Sequence, residues 1–239
     1  MNDAIRRTRL LHRRRTLRAL GGAGAWLAGG RAMAQTTPPA TSGVPACVLT
    51  PAQTEGPYFV DERLERSDIR ADPATGTVKP GALLTLEMAI FAVDGARCVP
   101  AANAIVDVWH CDATGVYSDA NDMSFSTRGS KFLRGYQVAD ANGRVRFTTI
   151  YPGAYPGRAV HIHFKVRTKP LGEFTSQLYF DDALTDRVHA NAPYAGAADG
   201  ARTHNARDGL YRRGGPELQL DVVGDGSGYR ARYDVGIRV

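Results

Sequence analysis

The sequence predicts an all-β protein, a β-sandwich with long loops, and three observations predict it. Short runs alternate apolar and polar residues with period two, the mark of half-buried strands. Gly 26 and Pro 13 among 239 residues supply frequent turns, and helical periodicity is poor after the first 46 residues. At 43% hydrophobic and 23% charged the composition is that of an ordinary globular chain, which excludes a disordered chain, a collagen-like chain and a multi-span membrane protein.

Residues 1–34 read as a leader rather than a fold. They carry eight arginines and one acid, Asp3, whereas residues 35–239 have a net charge of −1. The overall charge of +6 therefore belongs to the leader, and the remainder has no electrostatic footprint for nucleic acid. Arg13-Arg14-Arg15-Thr16-Leu17-Arg18 precedes a weakly apolar Gly/Ala-rich stretch, and Ala32-Met33-Ala34 puts small residues before Gln35. Paired arginines, a weak apolar region and an A-x-A site resemble a twin-arginine export signal. The expectation is removal of residues 1–34, passage through the twin-arginine machinery and a periplasmic or secreted product. The apolar stretch is too short to span a bilayer, and no later segment qualifies. Residues 35–46 read as a flexible linker, and residues 47–239 as one domain.

Within that domain Leu84, Leu86, Met88 and Ile90 alternate with Thr85, Glu87, Ala89 and Phe91. Further strands are expected over 105–109, 144–150, 160–167 and 176–180. A C-terminal hairpin is expected from 218–223 and 229–239, turning at Gly224-Asp225-Gly226-Ser227-Gly228. A short helix is expected over 183–190, with Asp181 or Asp182 as its N-cap. Cys98 and Cys111 flank a strand some 20 Å long and cannot bridge each other. Cys47 can pair with either, and Cys111 is the preferred partner.

His161 and His163 lie two apart on a strand and so share a face, while Ile162 points to the core. Two imidazoles so placed can converge on one ion, or can simply be solvated on a polar face. Neither the Asp nor the further His of a zinc hydrolase follows within 164–168, and the next Glu is Glu173. Tyrosine supplies the better partners. Tyr155 lies in the loop Tyr151-Pro152-Gly153-Ala154-Tyr155-Pro156-Gly157, and Tyr117 lies shortly after the strand ending in Trp109. Phenols ligate only when ionised, and a hard trivalent cation lowers their pKa, so a His₂Tyr₂ set argues for Fe(III) over Zn²⁺ or Mg²⁺. Most of the 10 tyrosines are nevertheless packing residues.

Several segments together resemble the intradiol ring-cleavage dioxygenases, in particular the protocatechuate-type catalytic core and its exported bacterial members. They are Thr54-Glu55-Gly56-Pro57-Tyr58-Phe59, Asp107-Val108-Trp109 leading to Gly115-Val116-Tyr117, Pro152-Gly153-Ala154-Tyr155-Pro156, Arg158-Ala159-Val160-His161-Ile162-His163, and Gln177-Leu178-Tyr179-Phe180. The resemblance implies a prealbumin-like β-sandwich with non-haem Fe(III) held by Tyr117, Tyr155, His161 and His163. It implies a catechol and O₂ as substrates, cleavage between the two hydroxyl-bearing carbons, and a cis,cis-muconate-type diacid as product. In the same way Tyr155 is the ligand that leaves and becomes a base, Arg158 stabilises charge on the ring, and Gln177 lies near the oxygen site. Tyr58 and Trp109 are expected around the ligands, whereas His110 and Asp112 have no assigned role. The run from Tyr155 to His161 is much shorter than in protocatechuate-type enzymes, so a piece of pocket wall is expected to be missing. Two other readings are a non-catalytic prealbumin-like binding module and a zinc- or copper-dependent hydrolase using the H-x-H pair. A binding module has no need of both tyrosines and Arg158 in register.

Overall fold

Period-two alternation of large apolar side chains builds two sheets whose inner faces make the core. In the computed structural model, residues 48–169, 172–195 and 202–238 are described. The leader and the linker lie outside these residues. The described residues belong to one unit of the chain, Val44–Val239.

Among them are nine strands: β1 (Leu83–Asp94), β2 (Arg97–Pro100), β3 (Ile105–Trp109), β4 (Arg134–Val138), β5 (Arg144–Ile150), β6 (His161–Thr168), β7 (Gly172–Tyr179), β8 (Asp221–Asp225) and β9 (Gly228–Arg238). One sheet runs β2-β1-β9-β8, with β5 paired to the first half of β1. The other runs β4-β3-β6-β7. Leu84, Leu86, Met88 and Ile90 of β1 and Val145 and Phe147 of β5 meet Val106, Val108, Ile162, Phe164 and Val166 of the facing sheet in one buried cluster. Full burial of each large side chain contributes roughly 1.5–3 kcal/mol.

Most of the expected strands form, with shifts of a few residues at their ends. The C-terminal hairpin forms through Asp225↔Gly228, but β8 begins at Asp221 because Gly215–Leu218 is a 3₁₀ turn. The helix α1 (Asp182–His189) starts where expected, with Asp181 accepting from the Leu184 amide at 2.8 Å. Strands β2 and β4 were not expected. β4 carries Arg134, Tyr136 and Gln137 in place of an apolar alternation, and tertiary partners rather than pattern make it a strand. The parallel pairing of β9 with β1, Leu84↔Tyr229 to Val93↔Arg238, is likewise decided by packing.

The cysteine expectation is corrected. Cys98 is disulfide-bonded, and Cys111 is a buried free thiol whose Sγ lies 3.4 Å from the Gly153 carbonyl oxygen. Cys111 follows β3 into the loop that packs on residues 152–155, so it is committed to the interior there. Cys47 lies outside the described residues. Also among the described residues, no helix is long and apolar enough to cross a membrane.

For the site, the outer face of the β4-β3-β6-β7 sheet matters most. His161, His163 and Lys165 point there, opposite Ile162, Phe164 and Val166, yet all three are buried. Residues 53–62 run across that face and cover it. Glu55 pairs with Lys165, Phe59 packs on Trp109 at 4.8 Å, and Lys165 Nζ sits 4.0 Å from the Phe59 ring centroid. A polar strand face that would otherwise be solvated becomes an interior.

Candidate metal centre

Three local devices, one strand and two loops, deliver the four candidate ligands. His161 and His163 open β6, and antiparallel register sets His163 opposite Trp109 of β3. Their rings stack 5.0 Å apart and 10° from parallel. Tyr117 is carried by the loop after β3, which Asp112 organises. One carboxylate oxygen of Asp112 accepts from the Thr114 amide (2.9 Å), the Thr114 hydroxyl (2.7 Å) and the Val116 amide (3.1 Å), and the other pairs with Lys79 Nζ at 2.7 Å. Burial opposes the charge on Asp112, but Lys79, Thr114 and the Val116 amide outweigh it and hold the carboxyl below its usual range. Tyr155 is carried by the loop after β5, whose Pro152 carbonyl accepts from His189 Nε2 at 2.9 Å.

The two tyrosine loops are packed backbone to backbone. The Gly153 amide donates to the Asp112 carbonyl at 3.1 Å, and a Cβ at Gly153 would lie 2.5 Å from Ala113 and Asp112 main-chain atoms. Gly115 has φ +85° and would put a Cβ 2.4 Å from the Ala154 carbonyl oxygen. Gly115→Ala is therefore expected to push the loops apart, lowering the unfolding free energy read from urea titration by about 1–3 kcal/mol and lowering metal content in parallel. A variant with wild-type metal content would separate loop contact from site formation.

The four side chains converge. The Tyr155 hydroxyl lies 3.1 Å from His161 Nε2, the Tyr117 hydroxyl 3.5 Å, and His163 Nε2 3.0 Å. His161 Nδ1 is 2.6 Å from the Ala159 carbonyl oxygen. A carbonyl can only accept, so the proton sits on Nδ1 and Nε2 presents a bare lone pair to the cluster. Burial, reinforced by the Arg158 charge, pushes the His161 pKa down to about 3, and burial with His161 beside it drives His163 well below its ordinary value. Burial raises both tyrosine hydroxyls far above the ordinary phenol value. The protein alone thus holds two neutral imidazoles and two phenols at hydrogen-bonding distance, with His163 Nδ1 lacking a partner among the described residues. A cation among these atoms is what such donors fit, because it gives the lone pairs a common acceptor and reverses the pressure against phenolate. Among the described residues no group of three or more His, Cys, Asp or Glu could hold a metal ion, so a site here requires the tyrosines.

The two tyrosines are not equivalent. Tyr117 is 1% exposed and lies under Tyr58, whose ring stacks on it at 4.4 Å. Tyr58 in turn donates to Asp122 at 2.7 Å. Tyr155 is only partly buried and faces Tyr117 edge-on at 5.7 Å. Arg158 pairs with Asp208 through Nε at 3.0 Å and donates from Nη2 to the side-chain oxygen Oε1 of Gln177. The Gln177 amide nitrogen donates to the Thr54 carbonyl at 2.8 Å, so both ends of this buried side chain are engaged within the protein. His110 is buried between Thr149 Oγ1 (2.7 Å) and the Cys111 carbonyl (2.8 Å), a packing role.

Asp112, Asp208 and Tyr179 were not singled out as site residues from the sequence. Asp112 could have been found, because Asp-Ala-Thr-Gly is an Asx-turn signature. Asp208 caps the Leu210 amide locally, but nothing in its neighbourhood ties it to the site, since its partners there, Arg158 and the Ala159 amide, lie about 50 residues earlier.

Comparison with known proteins bears on the chain's kinship rather than on individual ligands. The Dioxygenase family model matches residues 54–159, which contain both tyrosines and Arg158. The protocatechuate 3,4-dioxygenase beta chain of Burkholderia cepacia is 32% identical over 151 residues, covering 58% of this chain and 58% of that protein. Chlorocatechol 1,2-dioxygenase of Pseudomonas sp. (strain P51) is 33% identical over 116 residues, covering 41% of this chain and 43% of that protein. The chain thus spans about half the length of the curated relatives it matches. Among solved structures, an intradiol ring-cleavage dioxygenase from Tetranychus urticae superposes with a TM-score of 0.70 at 27% identity, covering 80% of this chain and 95% of that one.

Proposed function

We propose that the chain is an intradiol ring-cleavage dioxygenase, a non-haem Fe(III) enzyme opening catechol-type rings between the two hydroxyl-bearing carbons with O₂; the Dioxygenase match over residues 54–159 and the likeness to the relatives above support this reading. The observation that carries this reading is the convergence of the Tyr117 and Tyr155 hydroxyls and His163 Nε2 within 3.5 Å of His161 Nε2. Two hard phenolate oxygens and two neutral imidazoles suit a trivalent iron better than Zn²⁺ or Mg²⁺. Held by Tyr117, Tyr155, His161 and His163, ferric iron would supply the Lewis acidity that favours binding of a catechol in its deprotonated form, the form whose electron-rich ring is open to attack by O₂.

The remaining work falls to the chain itself. Tyr155 is the more exposed tyrosine, and its oxygen, ionised for as long as it would ligate the metal, is the group suited to accept the second catechol proton as it is released, while Tyr117 stays under Tyr58. Arg158 lies close enough to lower the pKa of Tyr155 by its charge, and it stabilises negative charge on the bound ring. Trp109 and Phe59 exclude water behind His163. The zinc or copper hydrolase reading gains nothing from this geometry, since no carboxylate joins the histidine pair among the described residues.

The test is a panel of catechols with the iron-loaded protein, following oxygen uptake and identifying products by mass. A cis,cis-muconate-type diacid containing both oxygen atoms is expected. A yellow ring-opened semialdehyde would overturn the intradiol reading. We also propose export through the twin-arginine route, with cleavage before Gln35. Replacing Arg14 and Arg15 by Lys is expected to leave uncleaved precursor in the cytoplasmic fraction on immunoblots. Normal export of that variant would remove the route.

A further inference from the structure

We propose that Asp208 is the positioning residue that aims Arg158 at the substrate side of the site, an inference that rests on the dioxygenase reading and deepens it. Arg158 follows Gly157, which has a positive φ (+82°), and stands just before β6. A long side chain at such a place has many rotamers, and a charge useful to a reaction must be held in one of them.

The side chain of Asp208 is 1% exposed and spends both oxygens on this task. Oδ2 accepts from Arg158 Nε at 3.0 Å and from the Ala159 amide at 2.9 Å, and Oδ1 accepts from the Leu210 amide at 2.7 Å. One carboxylate therefore grips the side chain of Arg158 and the peptide that follows it. The Ala159 carbonyl in turn receives His161 Nδ1, so the same anchor reaches a candidate metal ligand.

A closed circuit supports the guanidinium from behind. Arg158 Nη2 donates to Gln177 Oε1 and lies 3.4 Å from the Tyr179 hydroxyl. Tyr179 donates to Gln53 Oε1 at 2.7 Å, and Gln53 Nε2 donates to the Leu210 carbonyl at 2.9 Å, returning to the residue whose amide Asp208 holds. These bonds engage Nε and Nη2 and do not use Nη1, the edge assigned to the substrate. Gln177 acts within this frame, with both ends of its amide engaged, and Asp208 is the frame's only charge opposite the guanidinium.

Asparagine at 208 cannot reproduce the arrangement. Its amide nitrogen would face a donor, either the Leu210 amide or the pair formed by Arg158 Nε and the Ala159 amide. Asp208→Asn is expected to keep iron and colour and to lose about 10- to 100-fold in kcat, with KM little changed, because misplacement of a group acting in the transition state falls on kcat. In the Arg158→Ala background the same change should add nothing further to kcat. A crystal structure of iron-loaded Asp208→Asn should show the guanidinium turned away while Tyr117, Tyr155, His161 and His163 stay in place.

Should Asp208→Asn not accumulate folded, Asp208→Glu retains the charge but moves it by one methylene, and an intermediate loss in kcat is expected. Unchanged kcat in the substituted enzyme, an unmoved Arg158 in the crystal, or losses that multiply in the double variant would each overturn the proposal. The crystallographic result decides the positioning claim even if no catechol is turned over, an outcome that would instead remove the dioxygenase reading.

Discussion

His161→Ala and His163→Ala are each expected to yield folded protein that is nearly free of iron and colourless, with turnover per protein chain lost almost completely. The reason is in the donor set. His161 Nε2 has the Tyr155 hydroxyl, the Tyr117 hydroxyl and His163 Nε2 all within 3.5 Å of it. Its lone pair is aimed by the Nδ1 contact to Ala159. Losing a partner of a ligand typically costs about 10- to 100-fold in metal affinity or activity, and losing the ligand itself costs more. Metal analysis and the visible tyrosinate-to-iron charge-transfer band report the outcome directly. Tyr117→Phe and Tyr155→Phe are expected to shift that band differently, since one phenol is sealed under Tyr58 and the other is open. Wild-type iron and colour in His161→Ala would remove this residue from the ligand set. A colourless zinc-loaded protein with full activity would remove iron altogether.

The second large effect is expected at Arg158. Arg158→Ala should retain iron, show a spectral change on adding catechol, and turn over about 10²- to 10³-fold more slowly, the usual loss when a group stabilising developing negative charge is deleted. KM should change little, because the interaction strengthens as charge builds on the ring. The structure adds a consequence for stability. Removing the guanidinium leaves Asp208 in a nearly solvent-free position with the Ala159, Leu210 and Tyr211 amides but no cation. Breaking a buried pair in this way costs about 3–5 kcal/mol where both partners are fully desolvated, and less here because Arg158 keeps some exposure. The unfolding midpoint should therefore fall together with kcat, and rates are best expressed per bound iron. Unchanged kcat would withdraw the electrostatic role of Arg158 while leaving the metal centre standing.

Much of the fold is legible in the chain because it rests on local pattern. Leu84, Leu86, Met88 and Ile90 declare β1, the pair His161 and His163 declares a shared strand face, and Asp181 announces α1. The two tyrosine-bearing loops stand out by their Gly and Pro. Strand β4 is not legible, because Arg134 and Gln137 occupy a strand that only its neighbours β3 and Glu65 define. The same holds for the cysteines, where spacing ruled out Cys98 with Cys111 but could not tell that Cys111 would be committed to the tyrosine loops.

By itself, then, the sequence determined the fold class, the side-chain types able to ligate a metal and the alternation that puts two of them on one face, all consequences of period and composition within a few residues. Only the tertiary structure decided that this face is buried, because residues 53–62 from far upstream lie across it. Only it brought Tyr117 and Tyr155 to one point, through glycines that let two backbones touch, and only it brought Asp208 to Arg158 across 50 residues of chain. Contacts of that range are set by the packing of whole elements against one another, and the order of residues within a short window carries no trace of them.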